Sequence, residues 1–468
     1  MKLTTLSDSP ATRLQRLKAF LFPKMHRVAE FLISQGITIA GNLLYGLLCI
    51  RLLPIADYAE FVVVFAIQGS LVLLMDIGIT GSIVPLVGEN TGNRQLIADY
   101  VASLRQLAHW LYAIVAPITV IAYPLMVRNR HWSWQVVASM IAILLTSAWF
   151  ARVAAAYGAV LIVLRDRRRW YRAQMVSSLG TLTLLAVFYL LHLLNGFSAI
   201  LINVSGIIYV ALSYYLRAAQ LLRVAGKPSR EKRTAIIQLT SPAVPGVIFY
   251  ALQGQLAVFL ITIFGRTGAV ASVGALGRLG QVFAIFSQMN PILVEPYFAK
   301  LPRSRFKTNY LVAISFAATF GIMMVFLARL FPELFLWVLG PKYTYLRNEV
   351  VLLMISGAMG LIGGMMASMN GSRRFNYYSF VIAGNLLTFV VEALLIWKMD
   401  LSTVRSVLIF NIFVGLPQFT IVIATALFGF VRGGRRIAGI DYFSNRSGEE
   451  DTPLSLTRST RVEDNVLK

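Results

Sequence analysis

The stretch AEFVVVFAIQGSLVLLMDIGITGSIVPLV, residues 59–87, decides the fold class. A helix needs about 20 mostly apolar residues to cross the hydrocarbon core of a bilayer, and this stretch contains only two charged residues, Glu60 and Asp76. The whole chain of 468 residues has the same character, because 57% of it is hydrophobic and only 13% is charged. Soluble proteins carry about 25% charged residues. The sequence therefore predicts an all-α polytopic membrane protein.

Working outward from this stretch, we find further apolar runs of spanning length on both sides of it. About 12 transmembrane helices are predicted, at 31–53, 59–87, 107–127, 135–164, 173–193, 197–215, 236–264, 269–298, 310–331, 350–370, 377–397 and 403–431. Pro242 and Pro245 should bend the seventh span, and Pro291 and Pro296 the eighth, because proline lacks a backbone donor. Bent helices suit a protein that alternates between two openings.

The hydropathy pattern indicates that the two halves of the chain are related. Each half opens with two long spans joined by a very short turn, and an even number of spans in each half predicts a parallel pseudo-repeat about an axis along the membrane normal. We expect two six-helix lobes, 31–215 and 236–431, joined by a basic linker, 216–235. A basic amphipathic segment, 1–30, is predicted to precede them, and a disordered tail, 432–468, to follow them.

The net charge of +23, from 43 Lys and Arg against 20 Asp and Glu, would suggest a nucleic-acid partner in a soluble protein. Here most basic residues fall in alternate connections between the spans, and cytoplasmic connections carry the excess of Lys and Arg. Both termini and the linker are therefore predicted to be cytoplasmic. We expect the clusters at 165–172 and 217–233 to lie beside anionic membrane lipids, and we expect no nucleic-acid partner.

Several classes of function lack their sequence signature. No Gly-rich phosphate loop of an ATPase occurs, and no pair of histidines has the helical spacing of a metal site. The single cysteine, Cys49, lies in an apolar run, so no disulfide framework is expected. The connections are short, which leaves little room for a site beyond the bilayer. We therefore predict no catalytic residues, no metal and no cofactor.

Charged side chains inside the spans are the main candidates for function. A charge at mid-bilayer costs about 3 kcal/mol on insertion scales, so it normally faces the bundle interior or an aqueous cavity. Arg152 lies about halfway along its span and is our first choice for a lumen cation. Arg278 either faces the lumen or pairs with an acid. Asp76 and Glu392 are candidates for a coupling-ion site, although each could instead neutralise an arginine.

Uncharged polar side chains complete the predicted site. We select Gln35, Asn42 and Gln281, which are uncharged polar residues within spans, as candidate lumen residues. The alternative for each of them is a hydrogen bond between helices.

Three motifs carry a resemblance to a known family. They are RLLPIADYAEF at 51–61, MDIGITG at 75–81 and LGPKY at 339–343. Together they resemble the polysaccharide-exporter flippases, the O-antigen-type branch that moves lipid-linked oligosaccharides, within the multidrug, oligosaccharidyl-lipid and polysaccharide exporter superfamily. The chain has Ala59 where family members often have glycine. Twelve predicted spans, instead of the fourteen typical of lipid II flippases, favour the oligosaccharide branch.

The resemblance implies a multi-pass protein of the bacterial inner membrane, with a cationic cavity that opens alternately to either side. The implied cargo is an isoprenoid diphosphate-linked oligosaccharide for cell-surface polysaccharide, an ion gradient could drive the cycle, and glycan polymerase or export machinery could be a partner. Three alternatives stay open: a cation-coupled drug or small-solute antiporter, whose lumen should be richer in acids and aromatics, a membrane enzyme of glycan assembly, and a non-transporting scaffold.

Overall fold

The computed structural model describes residues 34–432, with the exception of residues 89, 131, 243, 374, 376 and 377. Within these residues the regular secondary structure is entirely helical, with no β-strand. Eleven helices are long and apolar enough to cross a membrane, or up to 12 if one bent pair counts as a single span. The predicted fold class is therefore confirmed. The predicted segment 1–30 lies outside the described residues, as does the predicted tail apart from Arg432.

The described residues of the first half form seven α-helices, of which α2 and α3 together make one span. Helix α4 begins at the Asn93 cap, whose side chain accepts a hydrogen bond from the Leu96 amide, and α7 begins at a capping box formed by Asn195 and Ser198. The bounds are α1 Ser34–Leu52, α2 Ile55–Asp76, α3 Ile79–Val87, α4 Arg94–Val127, α5 Trp134–Val163, α6 Arg167–Leu190 and α7 Gly196–Leu222.

The second half contains shorter helices as well as spans. Its bounds are α8 Arg230–Thr240, α9 Val244–Gln253, α10 Leu256–Phe264, α11 Thr267–Gln288, α12 Glu295–Lys300, α13 Arg303–Leu330, α14 Pro332–Leu339, α15 Arg347–Ser372, α16 Tyr378–Lys398 and α17 Val404–Arg432.

Breaks divide the seventh and eighth predicted spans. The sequence predicted one span at 236–264, but the structure has the end of α8, then α9 and α10, with a bend of 62° between α8 and α9. Pro242 lies in that break, as expected of a residue that cannot continue the backbone hydrogen bonds. In the eighth span, a single turn of π-helix at Asn290–Val294 separates α11 from α12.

The helices pack as two groups that meet along α2 and α11. In the first group α2, α5 and α7 pack on one another, with α4 and α6 beside them. In the second group α15 is surrounded by α11, α13 and α17. Gly274 of α11 lies directly on α2, because a Cβ at this position would overlap the Val62 side chain. Small residues permit such close crossings in membranes. The predicted lobe boundaries stay a prediction.

Candidate functional site

The two ends of the helix bundle differ in how many basic connections they carry. We call one end the basic face; it carries the α5–α6 turn with Arg165 and the α7–α8 linker with Lys227. The other end, the opposite face, carries the short α1–α2 and α10–α11 turns. A cavity of about 910 Å³ is lined by α1, α2, α3, α5, α6, α7 and α11. It extends from Phe65, near mid-depth, to Trp170 and Tyr214 at the basic face.

The deep end of the cavity holds a buried cation. Arg278 of α11 is only 7% exposed, and its Cζ lies 4.1 Å from the ring centroid of Phe65 and 5.8 Å from that of Phe61. Glycine at position 46 of α1 lets the side chain pack there, because a Cβ on Gly46 would stand 2.8 Å from Nε. No carboxylate of the described residues forms a salt bridge with Arg278. The aromatic faces stabilise the cation without neutralising its charge.

One side of the cavity is a polar wall, which we define as the cavity-lining amides and hydroxyls of α1, α6 and α7. Gln35 donates to the side-chain oxygen of Gln174 over 3.4 Å. Ser178 donates to the side-chain oxygen of Asn42 over 3.3 Å and to the carbonyl of Thr38 over 3.2 Å. These groups are neutral and each retains hydrogen-bonding capacity. The wall can therefore bind a ligand rich in hydroxyl groups.

Asp76 lines the cavity close to the basic face. Helix α2 ends there because Ile77 and Gly78 both have positive φ angles, 41° and 76°. The Asp76 side chain then accepts a hydrogen bond of 2.9 Å from the Thr80 amide, which satisfies a free donor in the first turn of α3. Asp76 follows Phe65 by a rise of about 16 Å along the helix, at 1.5 Å per residue. The carboxylate is therefore far from Arg278.

The cavity brings together five of the seven residues selected from the sequence, namely Gln35, Asn42, Asp76, Arg278 and Gln281. Arg152 and Glu392 do not line it. Arg152 is 3% exposed, and its Cζ lies 3.7 Å from the centroid of the Trp149 ring. Glu392, on α16, is 7% exposed and has Gln253 as its hydrogen-bonding neighbour. The roles of Arg152 in the lumen and of Glu392 in coupling stay predictions that this cavity does not support.

Sequence reasoning missed the contribution of α6 to the cavity. Gln174, Ser177, Ser178 and Thr181 all line it. Their spacing is i, i+3, i+4 and i+7, which is the pattern of one polar stripe on a helix. In an otherwise apolar span such a stripe indicates a face turned towards water or a ligand, so the signal was present in the sequence.

At the opposite face, cations bind backbone carbonyls in an arrangement that we call the carbonyl latch. Arg51, near the end of α1, donates to the carbonyls of Trp337 and Val338 at the end of α14. Lys342, just after α14, donates in return to the carbonyls of Arg51 and Leu53, over 3.0 and 2.8 Å. Helix carboxyl ends attract cations because their last carbonyls lack partners. The latch therefore joins the two halves on this side.

A second contact of the same kind lies nearby. Arg130, after α4, donates to the carbonyls of Ile261 and Thr262 in α10 over 2.8 and 2.6 Å. Both contacts link the first half of the chain to the second at the opposite face. Among the described residues, the cavity lining extends to the basic face and includes none of the residues that form these two contacts.

Comparisons with known proteins identify the fold. No protein-family model matches the chain, and no curated protein matches it. Among solved structures, an inward-facing multidrug resistance MATE family transporter of the MOP superfamily matches with a TM-score of 0.59 at 16% identity, over 85% of this chain and 94% of its own. The lipid II flippase MurJ, in an inward closed conformation, matches with a TM-score of 0.60 at 12% identity, over 86% of this chain and 91% of its own.

A third match is a MOP superfamily transporter from Pyrococcus furiosus, described as having a binding pocket of reversed polarity. Its TM-score is 0.56 at 18% identity, over 86% of this chain and 94% of its own. These identities are low, so the likeness concerns the fold. The chain has the fold shared by drug transporters and a lipid flippase of the MOP superfamily.

Proposed function

From the fold of the MOP superfamily transporters, we propose that this chain is a flippase that moves an isoprenoid diphosphate-linked oligosaccharide across a membrane. One observation carries the proposal. Arg278 lies at the deep end of a large cavity, is 7% exposed, and forms no salt bridge with any carboxylate of the described residues. An uncompensated cation in a membrane cavity normally marks the path of an anion.

The chemistry of the cavity suits a diphosphate that carries sugars. A guanidinium group presents a planar fork of donors that binds phosphate oxygens in a bidentate manner. The polar wall, with Gln35, Asn42 and Ser178, offers neutral partners for hydroxyl groups. A headgroup of this kind cannot cross hydrocarbon unaided, because burying its charge and polar groups without partners is too costly. The cavity replaces the lost water contacts.

Alternating access would carry the cargo between the two faces. In this mechanism the carbonyl latch would hold the opposite face closed, and opening would require that Arg51 and Lys342 leave their carbonyl partners. Such a device needs no catalytic residue, and we assign none. The work would come from an ion gradient or from consumption of the product on the far side.

The orientation and location follow from the charge distribution. We place the basic face, both termini and the α7–α8 linker in the cytoplasm, because cytoplasmic connections are rich in Lys and Arg. The host membrane would be the bacterial inner membrane. The transport step would serve the export of cell-surface polysaccharide, and glycan polymerase or export machinery would be a partner. The sequence motifs at 51–61 and 339–343 support this assignment.

A cation-coupled drug antiporter is the second candidate. The observation in its favour is Asp76, an acid that lines the cavity. An organic cation would be attracted to this carboxylate and repelled by Arg278. Asp76 also caps α3 through the Thr80 amide, so a structural role already accounts for this carboxylate. Arg278 has no such partner, and its positive charge favours an anionic cargo over a cationic one.

A transport experiment separates the two candidates. The purified chain is reconstituted in liposomes with a fluorescent oligosaccharide on a polyprenyl diphosphate, and loss of access to an added glycosidase reports flipping. We expect flipping by the wild type, at least a tenfold loss in Arg278→Gln, partial activity in Arg278→Lys, and wild-type activity in Arg329→Gln, which changes an exposed arginine on α13. Gradient-driven ethidium export without flipping would establish the antiporter instead.

A further inference from the structure

Arg152 is a buried cation that the cavity does not use. Its guanidinium lies beneath the indole ring of Trp149, with 3.7 Å between Cζ and the ring centroid. The residue is 3% exposed. Two of its nitrogens, Nε and Nη1, have no hydrogen-bond partner within the described part of the chain. A buried charge normally has a counter-charge or a full set of hydrogen bonds, so this side chain lacks part of its environment.

The groups around Arg152 do not supply the missing counter-charge. The charged and titratable side chains that face it are Tyr112 and Arg105 of α4 and Tyr157 of α5. Arg105 Nη1 donates to the Tyr157 hydroxyl over 3.3 Å, and no carboxylate of the described residues forms a salt bridge with either arginine. We call these residues, with Trp149, the α4–α5 cluster. The cluster contains two guanidinium groups and no anion.

The α4–α5 cluster lies on the outer surface of the bundle. Arg105 is exposed, and Trp149 is 38% exposed. The His109 ring meets the Trp149 ring edge-on at 5.2 Å. The cluster is therefore reachable from the surrounding membrane without passing through the cavity.

Arg105 lies at the depth of the lipid headgroups, and Trp149 and Arg152 lie about 10 Å deeper, beside Tyr112, at 1.5 Å per residue of α4. On the side towards the opposite face, α4 exposes an apolar row in which Ile114, Ile118 and Ile121 are 61%, 57% and 63% exposed. Ile114 stands about 13 Å beyond Arg105, at 1.5 Å per residue. Trp110 is 52% exposed, and its ring centroid lies 5.3 Å from Cζ of Arg233. Tryptophan and arginine at such a boundary mark the membrane interface.

We propose that the α4–α5 cluster binds the phosphate group of an anionic phospholipid. Arg105 would contact the phosphate oxygens directly. Arg152 would attract them from below Trp149, where the low dielectric constant strengthens the interaction between charges. The acyl chains would lie along the exposed isoleucines of α4, which a free phosphate ion cannot use. Basic pockets between transmembrane helices bind lipid headgroups in this way.

Lipid binding to the full-length protein tests the proposal. Native mass spectrometry measures the affinity for phosphatidylglycerol and for phosphatidylcholine, in the wild type and in Arg105→Gln, Arg152→Gln and Arg128→Gln. The last variant is the control, because Arg128 is exposed at the opposite face. We expect tighter binding of phosphatidylglycerol by the wild type, an affinity at least tenfold lower in the first two variants, and no change in the control.

Two results would overturn the proposal. One is unchanged phosphatidylglycerol affinity in Arg105→Gln, an exposed position whose substitution leaves the core intact even if Arg152→Gln fails to fold. The other is displacement of the lipid by millimolar inorganic phosphate, which would show that the cluster binds a free anion. Neither readout depends on the transported substrate, so the outcome is independent of the flippase proposal.

Discussion

Substituting Gly46 by alanine should displace the guanidinium of Arg278 without changing any charge. A Cβ at position 46 would stand 2.8 Å from Nε, 2.9 Å from Cζ and 3.0 Å from Cδ of Arg278. Non-bonded carbon atoms are in optimal contact at about 3.5–4.0 Å, so the side chain must move by about 0.5–1 Å. The substitution therefore tests the position of the arginine, whereas Arg278→Gln tests its charge.

The fold should tolerate Gly46→Ala. Overpacking costs about 1–3 kcal/mol, and the lower end applies because the contacted atoms belong to a flexible side chain. Replacing glycine by alanine within a helix contributes about 1 kcal/mol in the opposite direction. The free energy of unfolding should therefore change by less than about 1 kcal/mol. Binding should suffer more, since a hydrogen bond to a charged group contributes about 1.5–3 kcal/mol, equivalent to a factor of about 10 to 150 in affinity.

Titration calorimetry with farnesyl diphosphate, a soluble isoprenoid diphosphate, measures this effect. We expect binding at least tenfold weaker in Gly46→Ala than in the wild type. Gly36→Ala is the matched control, because it changes a glycine of the same helix whose Cβ would meet no atom within 4 Å. Farnesol, which lacks the diphosphate, should bind all three proteins alike.

Equal farnesyl diphosphate affinities in the Gly46→Ala and Gly36→Ala variants would refute the reasoning. Such a result would mean that the guanidinium does not contact the diphosphate from its position beside Gly46. A loss of folded protein in Gly46→Ala alone would contradict the estimate that the Arg278 side chain yields easily.

Three other predictions concern coupling, the latch and topology. Asp76→Asn keeps the oxygen that caps α3 but removes the charge, so it should flatten the dependence of transport on pH or sodium; an unchanged dependence would exclude Asp76 as the coupling site. Lys342→Met should increase the reactivity of a cysteine introduced at a cavity-lining position towards reagents added at the opposite face, whereas Lys398→Met, which changes an exposed lysine on that face, should not. In cells, an impermeant thiol reagent should label Leu193→Cys and not Lys227→Cys, and the reverse pattern would invert the proposed orientation.

The residues of the site show how far sequence reasoning reaches. Arg278, Gln35, Asn42 and Gln281 were selected because polar groups within a span rarely face lipid, and all of them line the cavity. Arg152 was selected by the same rule and lies outside the cavity. Depth along a helix can be counted in residues, but the direction of a side chain around the helix depends on how the helix packs.

The membrane class, the approximate spans and the break at Pro242 were all accessible from the order of residues, because they depend on local properties of the backbone and on hydropathy. Only the tertiary structure decided which face of α5 meets the cavity: Ala151 and Ala155 line it, whereas Arg152 is turned by about 100° towards α4. The same holds for the carbonyl latch, since Arg51 and Lys342 lie in distant parts of the chain and their partners are backbone atoms. Every residue has a backbone carbonyl, so no sequence pattern marks those that a distant cation will bind.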